Sequence, residues 1–359
     1  MTLIQTPPLG VIEGFFGRSW SWEDRTAYAN FFALHKLNFY IYAPKSDIYL
    51  RKYWQQDWPP DIKHKLTLLR SHYQDTHIDF GIGLSPHEIY LDNSRDNRHA
   101  LRKRVEQINE LAPNTLCLLF DDMRGDIPDL AKIQIELMHQ VADISTAKRI
   151  IFCPTYYSLD PVLEKVFGKK PENYWSDLNK YLDKYIDIFW TGEKVCSPHY
   201  SANHIAQATE LLGRKPFLWD NYPVNDGAVK ANYLHLRAVD PSHCQLQSSI
   251  AGHALNPMNE ANLSKIALAS LTQAYAQGLE YNAEKTLYML CEKILGNPLS
   301  SMLLEDLPLL QDKGLKNLSI QEKIALQTRY NLFDKNPFCL EIIDWLNNGY
   351  EFDPACLTE

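Results

Sequence analysis

Two adjacent carboxylates, Asp121 and Asp122, end the run Thr115-Leu116-Cys117-Leu118-Leu119-Phe120. Apolar residues unbroken over that length suit a strand buried on both faces, as in a parallel sheet. The carboxyl end of such a strand is where α/β folds place their active sites. Neighbouring carboxylates repel when both are ionised, so one tends to keep its proton toward neutral pH. A protonated acid beside a carboxylate is the equipment for cleaving a glycosidic bond. The same two residues could instead cap a turn before Ile127, and the pair alone does not choose between these readings.

A pair of acids at a strand end needs a sheet to hold it. Short apolar runs recur along the first three-quarters of the chain, centred near Val11, Phe39, Phe80, Leu118, Ile151, Ile188, Leu218 and Ser249. The eighth, Gln245 to Ala251, is the weakest. Between them lie segments of helical period. Ser21 reads as an N-cap with Asp24 three residues on, ahead of a face made by Tyr28, Phe31, Phe32 and His35. Pro59 and Pro60 open a second helix with Leu66, Leu69 and Tyr73 on its stripe. Further helices are expected over Asp96–Leu111, Ile127–Asp143, Glu172–Tyr185, Ser201–Leu212 and Met258–Gln277. Eight strands alternating with helices predict a (β/α)8 barrel over residues 1–280, a fold that takes ~250 residues. Residues 281–359 carry only helical signals and predict a small C-terminal helical domain or extension. Its signals are a capping box from Ser319 to Glu322 ahead of Ile324, Leu326 and Tyr330, and a helix opened by Pro337 whose stripe includes Leu340, Ile343 and Leu346.

In such a barrel the residues just after each strand share one face. They read Glu13-Gly14-Phe15-Phe16-Gly17-Arg18, Tyr42-Ala43-Pro44-Lys45, Asp121-Asp122, Cys153-Pro154-Thr155-Tyr156-Tyr157 and Trp190-Thr191-Gly192. Trp219-Asp220-Asn221 with Asp226, and His253-Ala254-Leu255-Asn256-Pro257, complete the set. It is rich in acids, amides and aromatic rings, as a carbohydrate pocket should be. Each residue alone has a plainer account: Lys45 a solvated surface lysine, Trp219 core, Asn256-Pro257 a turn, Gly14 and Gly17 tight bends.

Taken together, Gly10-Val-Ile-Glu-Gly-Phe-Phe-Gly-Arg18, Tyr42-Ala-Pro-Lys45, Phe120-Asp-Asp122, Phe152-Cys-Pro-Thr155 and Trp219-Asp-Asn221 with Asp226 resemble glycoside hydrolase family eighty-four. That is a family of β-N-acetylglucosaminidases whose members include protein O-GlcNAcases. The resemblance runs in order over roughly residues 9 to 260. It implies a retaining reaction in which the substrate's own acetamido oxygen is the nucleophile and an oxazoline is the intermediate. Asp122 then matches the general acid and base, and Asp121 the acceptor of the acetamido N–H. Tyr157, Trp219 and Asn221 match residues around the acetamido group. Gly14 (through its backbone), Lys45, Asp226 and Asn256 match residues that grip the sugar hydroxyls. No cofactor or metal is implied. The expected partner is a substrate bearing terminal β-GlcNAc, with a glycosylated Ser or Thr of a protein favoured. Glycan oligomers such as hyaluronan or cell-wall fragments are the alternative substrates, and a catalytically inactive sugar-binding barrel the alternative role. Two positions depart from the family pattern: Arg18-Ser19-Trp20 where Arg-Pro-Trp is usual, and Ser46-Asp47 where two acids often follow the lysine.

Bulk properties exclude other classes. Thirty-six basic against 44 acidic residues, a net charge of −8, leave no basic stripe for nucleic acid. No apolar run reaches membrane-spanning length, and Met1 to Pro8 has neither the basic start nor the apolar block of a signal peptide, so a cytoplasmic protein is expected. The seven cysteines lack a Cys-x-x-Cys pair, and Cys117 and Cys153 lie in apolar runs, which suits buried free thiols. No histidine that follows a strand has metal-ligand spacing, which disfavours a metal-dependent hydrolase.

Overall fold

The structure, a computed structural model, describes residues 6–92 and 94–358; Met1–Gln5, within the stretch read above as leaderless, lie outside them. Eight parallel strands close into a barrel: β1 (Leu9–Glu13), β2 (Phe39–Tyr42), β3 (Asp79–Leu84), β4 (Thr115–Leu119), β5 (Arg149–Cys153), β6 (Asp187–Trp190), β7 (Phe217–Asp220) and β8 (Gly252–Leu255). Closure is the pairing of β1 with β8, with Leu9 opposite His253 and Val11 opposite Leu255. Side chains on both faces of β1, β2, β4, β7 and β8 are buried throughout, which is why these strands show no alternation in sequence. Around them run α1 (Trp22–His35), α2 (Pro60–Asp75), α3 (Arg95–Asn109), α4 (Leu130–Ile144), α5 (Pro161–Phe167), α6 (Tyr174–Tyr181), α7 (Ala202–Leu212) and α8 (Ala261–Gln277). The (β/α)8 expectation holds. The Ser21–Asp24 capping box forms as expected at the start of α1.

Three expectations change. The eighth strand is not Gln245–Ala251; Pro241–Gln245 is a short 3-10 turn, and the strand is Gly252–Leu255. His253 disguised it, because a fully buried histidine in a strand reads as polar until its partners are known. Helix α5 was not expected, and the segment Glu172–Tyr185 is helical only over α6. The acids Asp121 and Asp122 do not cap a helix: α4 begins at Leu130, after Asp129.

Beyond α8 come α9 (Ala283–Leu295), α10 (Leu299–Leu307), α11 (Ile320–Tyr330) and α12 (Pro337–Leu346). Of the expected stripe of α12, Leu346 is buried, Ile343 half-buried and Leu340 46% exposed, while the buried face is made by Cys339, Ile342 and Trp345 with Leu346. A helix apolar on nearly every side cannot announce its buried face by periodicity. These helices share a core with the barrel's own Leu234, Leu236, Met258, Leu263 and Ile266. No helix among the described residues is long and apolar enough to cross a membrane.

One contact ties the late helices to the barrel. Helix α8 has no side-chain bond from its own N-cap, Glu260. Glu341 of α12 supplies one from outside, accepting from the backbone N–H groups of Asn262 and Leu263, both at 2.8 Å, and from Asn262 Nδ2 at 2.9 Å. Unmet first-turn donors and the positive end of the helix dipole favour an anion there. Burial opposes the charge and pushes Glu341 up to about 7. Replacing Glu341 with Ala should strand these buried donors and cost about 1–3 kcal/mol. The check is a lowered urea midpoint at unchanged slope; an unaltered midpoint would show that α8 does not depend on this cap.

Candidate active site

The carboxyl ends of the strands converge on one pocket. Gly14, Lys45, Asp121, Asp122, Tyr157, Trp219, Asn221, Asp226 and Asn256, all singled out from sequence, line it together.

At its centre are the two acids after β4. Asp122 takes a left-handed backbone, φ 56°, which non-glycine residues adopt rarely and Asp more readily than most. Lys45, reaching in after β2, donates to Asp121 Oδ2 and lies 3.5 Å from Asp122 Oδ2. All three side chains are under 10% exposed. Burial pushes Asp122 above the usual carboxylate range; Lys45 opposes this, and the neighbouring Asp121 adds to it. The arrangement is therefore one lysine compensating two carboxylates, with burial favouring the protonated form of Asp122. Sequence alone could not say that Lys45 belonged to the acid pair.

One wall is a hydrogen-bonded set. Asn221 Oδ1 accepts from Trp219 Nε1 at 3.1 Å and from Asn256 Nδ2 at 3.0 Å, while Asn221 Nδ2 donates to the Val195 carbonyl at 2.9 Å. Asn256 Oδ1 in turn accepts from the Gly14 N–H at 3.2 Å. Gly14 has to be glycine: a Cβ there would stand 2.4 Å from the Trp219 ring.

A second set joins the loops after β1, β7 and β8. Asp226 accepts from the Phe16 N–H at 2.8 Å. Burial pushes Asp226 up to about 6, against that hydrogen bond and with help from Asp122. Asn259 Nδ2 donates to the carbonyls of Phe16 and Arg18, and Asn225 links the Asn259 N–H to Glu260. Phe16 was not among the candidate residues; it lines the pocket with its ring 5.6 Å from Lys45 Nζ. Ser19 and Ser46, the two departures from the family pattern, hydrogen-bond to each other across the loops after β1 and β2.

Tyr157 closes the far side, and its hydroxyl is 3.5 Å from Thr358 Oγ1. Cys356 and Thr358 thereby join the pocket wall, which no motif could have announced, since they lie 10 and 12 residues past the end of α12. The cavity left is about 50 Å³, room for a few waters. Cys117 and Cys153 are buried thiols, and Cys153 lies at the pocket edge. Behind the wall, outside the pocket, Asp220, His243 and His253 bring three potential ligand atoms together, the one such group among the described residues. Sequence spacing hides it, because the three come from β7, the turn at Pro241–Gln245 and β8.

The family model described as beta-N-acetylglucosaminidase matches residues 9–307. The protein O-GlcNAcases of Rattus norvegicus and Mus musculus are each 26% identical over 280 residues, a match that covers 75% of this chain. It takes in only 30% of the length of those relatives. A solved structure of a mutant O-GlcNAc hydrolase from Thermobaculum terrenum superposes with a TM-score of 0.77 at 27% identity, covering 94% of this chain and 80% of that one.

The lysine bridge has a direct test. In Lys45→Met, the carboxyl titration of Asp122, followed by 13C NMR, should move upward by roughly 1–3 pH units, because an opposite charge close by has been removed. A titration that stays in place would mean that Lys45 does not govern this acid.

Proposed function

Because the chain belongs to the β-N-acetylglucosaminidase family of glycoside hydrolases, we propose that it removes terminal β-linked N-acetylglucosamine with retention of configuration, the substrate's acetamido oxygen acting as nucleophile. The observation that carries this reading is the acid pair at the end of β4, held by Lys45 and walled by Trp219 and Asn221. In the proposed first step Asp122 protonates the departing oxygen as the acetamido carbonyl oxygen attacks the anomeric carbon, forming an oxazoline. Asp121 accepts a hydrogen bond from the acetamido N–H and offsets the positive charge that develops there. In the second step Asp122, now ionised, takes a proton from water as it opens the ring. An acid in this role gains from a raised pKa, and burial of Asp122 supports it. Asp121, in contact with the lysine, takes the part of the acceptor.

Tyr157, Trp219 and Asn221 are assigned to the acetamido group, and Gly14, Lys45, Asp226 and Asn256 to the hydroxyls. A sugar gripped at several hydroxyls has none from which another unit could extend, so single terminal residues are the expected substrates rather than internal bonds of hyaluronan. Protein-bound O-GlcNAc is the favoured natural substrate, in keeping with the named activities of the relatives.

Leaving-group dependence separates the two acids. Asp122→Asn should slow hydrolysis of poor leaving groups by ~10²–10⁴-fold, and much less for an activated phenol, since only the former need proton donation. Asp121→Asn should slow all substrates to a similar degree. Losses in Asp122→Asn that do not vary with the leaving group would contradict the assignment.

The segment carrying Cys356 and Thr358 occupies part of the proposed substrate space. A chain ending at Tyr350 should therefore show a lower KM for an aryl β-N-acetylglucosaminide with little change in kcat. An unchanged or raised KM would mean that substrate does not compete with the segment.

A further inference from the structure

Along β7 alternate residues face opposite ways, so Trp219 and Asn221 face the pocket while Asp220 points behind it. There, fully buried, Asp220 Oδ2 meets two imidazoles: His243 Nε2 at 2.7 Å and His253 Nε2 at 3.2 Å. The two rings stack, with centroids 5.2 Å apart and planes 15° from parallel, and Tyr200 packs edge-on against both.

The outer nitrogens decide the charge. His243 Nδ1 lies 2.7 Å from the carbonyl oxygen of Asp240, which can only accept, so Nδ1 carries a proton. Its Nε2 therefore meets Asp220 as a second N–H, as the acceptor of a proton on Asp220, or as a ligand to a cation; Asp220 also accepts from His253 and its carboxyl is held well below the usual range, so it has no proton to give. Ligands at ~2.0–2.2 Å from a tetrahedral zinc lie about 3.3–3.5 Å apart, and 2.7 Å is instead the length of a charge-assisted N–H···O bond. His243 is accordingly an imidazolium. His253 differs: the Tyr275 hydroxyl, 3.0 Å from Nδ1, can donate to it, leaving Nε2–H for Asp220 and a neutral ring.

We propose that this His243–Asp220–His253 cluster is a positioning device, an ion pair that locks the end of β7 from behind and so holds Trp219 and Asn221 as the wall of the acetamido pocket. The inference rests on the acetamido reading of that wall. None of the three residues touches the pocket.

The electrostatics agree with the geometry. Burial works against the charge on His243, but the hydrogen bond and attraction of Asp220 outweigh it and set His243 above the ordinary histidine value. His253, as deeply buried, falls below it. Burial also opposes ionised Asp220, and the two imidazole donors outweigh that, holding its carboxyl well below the usual range. The other titratable groups facing the cluster are Asp240 on the same turn as His243, Tyr200 and Cys196 before α7, Tyr222 after β7 and Tyr275 on α8. Burial raises these four tyrosine and cysteine groups, so they stay neutral where histidine titrates. The sign follows by linkage. The contribution of His243 is complete below the ordinary histidine value and is lost as pH rises through its higher folded value; that of Asp220 is complete above the ordinary carboxylate value and is lost only in strong acid.

The test combines a charge readout with kinetics. Histidine-selective 15N NMR at pH 7.5, assigned with His243→Gln and His253→Gln, should show His243 protonated on both nitrogens and His253 on Nε2 alone. Because this readout needs no turnover, it stands apart from any failure of the functional reading. With an aryl β-N-acetylglucosaminide, Asp220→Asn should raise KM about tenfold and leave kcat within about twofold. The wild-type KM should rise on the alkaline side as His243 loses its proton, and His243→Gln, which keeps a donor without the charge, should already have the higher KM and lack that pH dependence. Should Asp220→Asn fail to fold, the His243→Gln comparison carries the kinetic test. A neutral His243 at pH 7.5, a stoichiometric metal ion in the purified protein, or a wild-type KM profile retained in His243→Gln would each overturn the proposal.

Discussion

Two carboxylates one residue apart, both buried, cannot be sustained without compensation, because each charge has lost its water and each repels the other. Lys45 meets that need by touching Asp121 and standing within reach of Asp122. The compensation is unequal: Lys45 touches Asp121 and stands farther from Asp122, which burial raises. Everything else at this end of the barrel keeps that triad dry and in register. Lys45 arrives from the loop after β2, and Asp122, with its left-handed backbone, follows Asp121 so that two successive residues line the pocket.

The barrel provides the depth; hydrogen bonds between loops provide the register. Asn256 joins the loop after β8 to Gly14 after β1, and Asp226 after β7 is bonded to Phe16. Asn259 gathers two carbonyls of that same β1 loop. The Asn256 and Asn259 bonds cross between β8 and β1, neighbours only because the barrel closes there, and the Asp226 bond reaches the β1 loop from beyond β8. The late helices take part as well. Glu341 caps α8, whose first turn directly follows Asn259 and Glu260, and the Arg18–Asp344 ion pair ties α12 to the β1 loop. The exposed ion pair adds little by itself; the buried cap matters more.

Polar groups packed behind the pocket serve the same end. Asp220 could not lie between β7 and the surrounding helix without partners, and it has two imidazoles with different protonation demands. Its neighbours in sequence, Trp219 and Asn221, line the pocket, so a buried hydrogen-bonded cluster and a wall of the pocket share one backbone.

The chain by itself determined the alternation of strand and helix, the placing of Asp121 and Asp122 at the end of β4, and the clustering of residues after successive strands. These are local properties: an apolar run of a given length, a capping box at Ser21, a proline at a helix start. Where local signals were ambiguous, tertiary contacts decided. The β8 strand moved from Gln245–Ala251 to Gly252–Leu255 because a buried histidine counts as core only once Asp220 and Tyr275 meet its ring nitrogens. The inward face of α12 was set by what it packs on, since nearly every face is apolar. Lys45 joining the acids, Thr358 beside Tyr157, and Asp220 meeting His243 and His253 are hydrogen bonds between residues 23 to 201 positions apart. Such juxtapositions have no periodicity and no spacing rule. They follow from closure of the barrel, which converts distance along the chain into contact across a pocket.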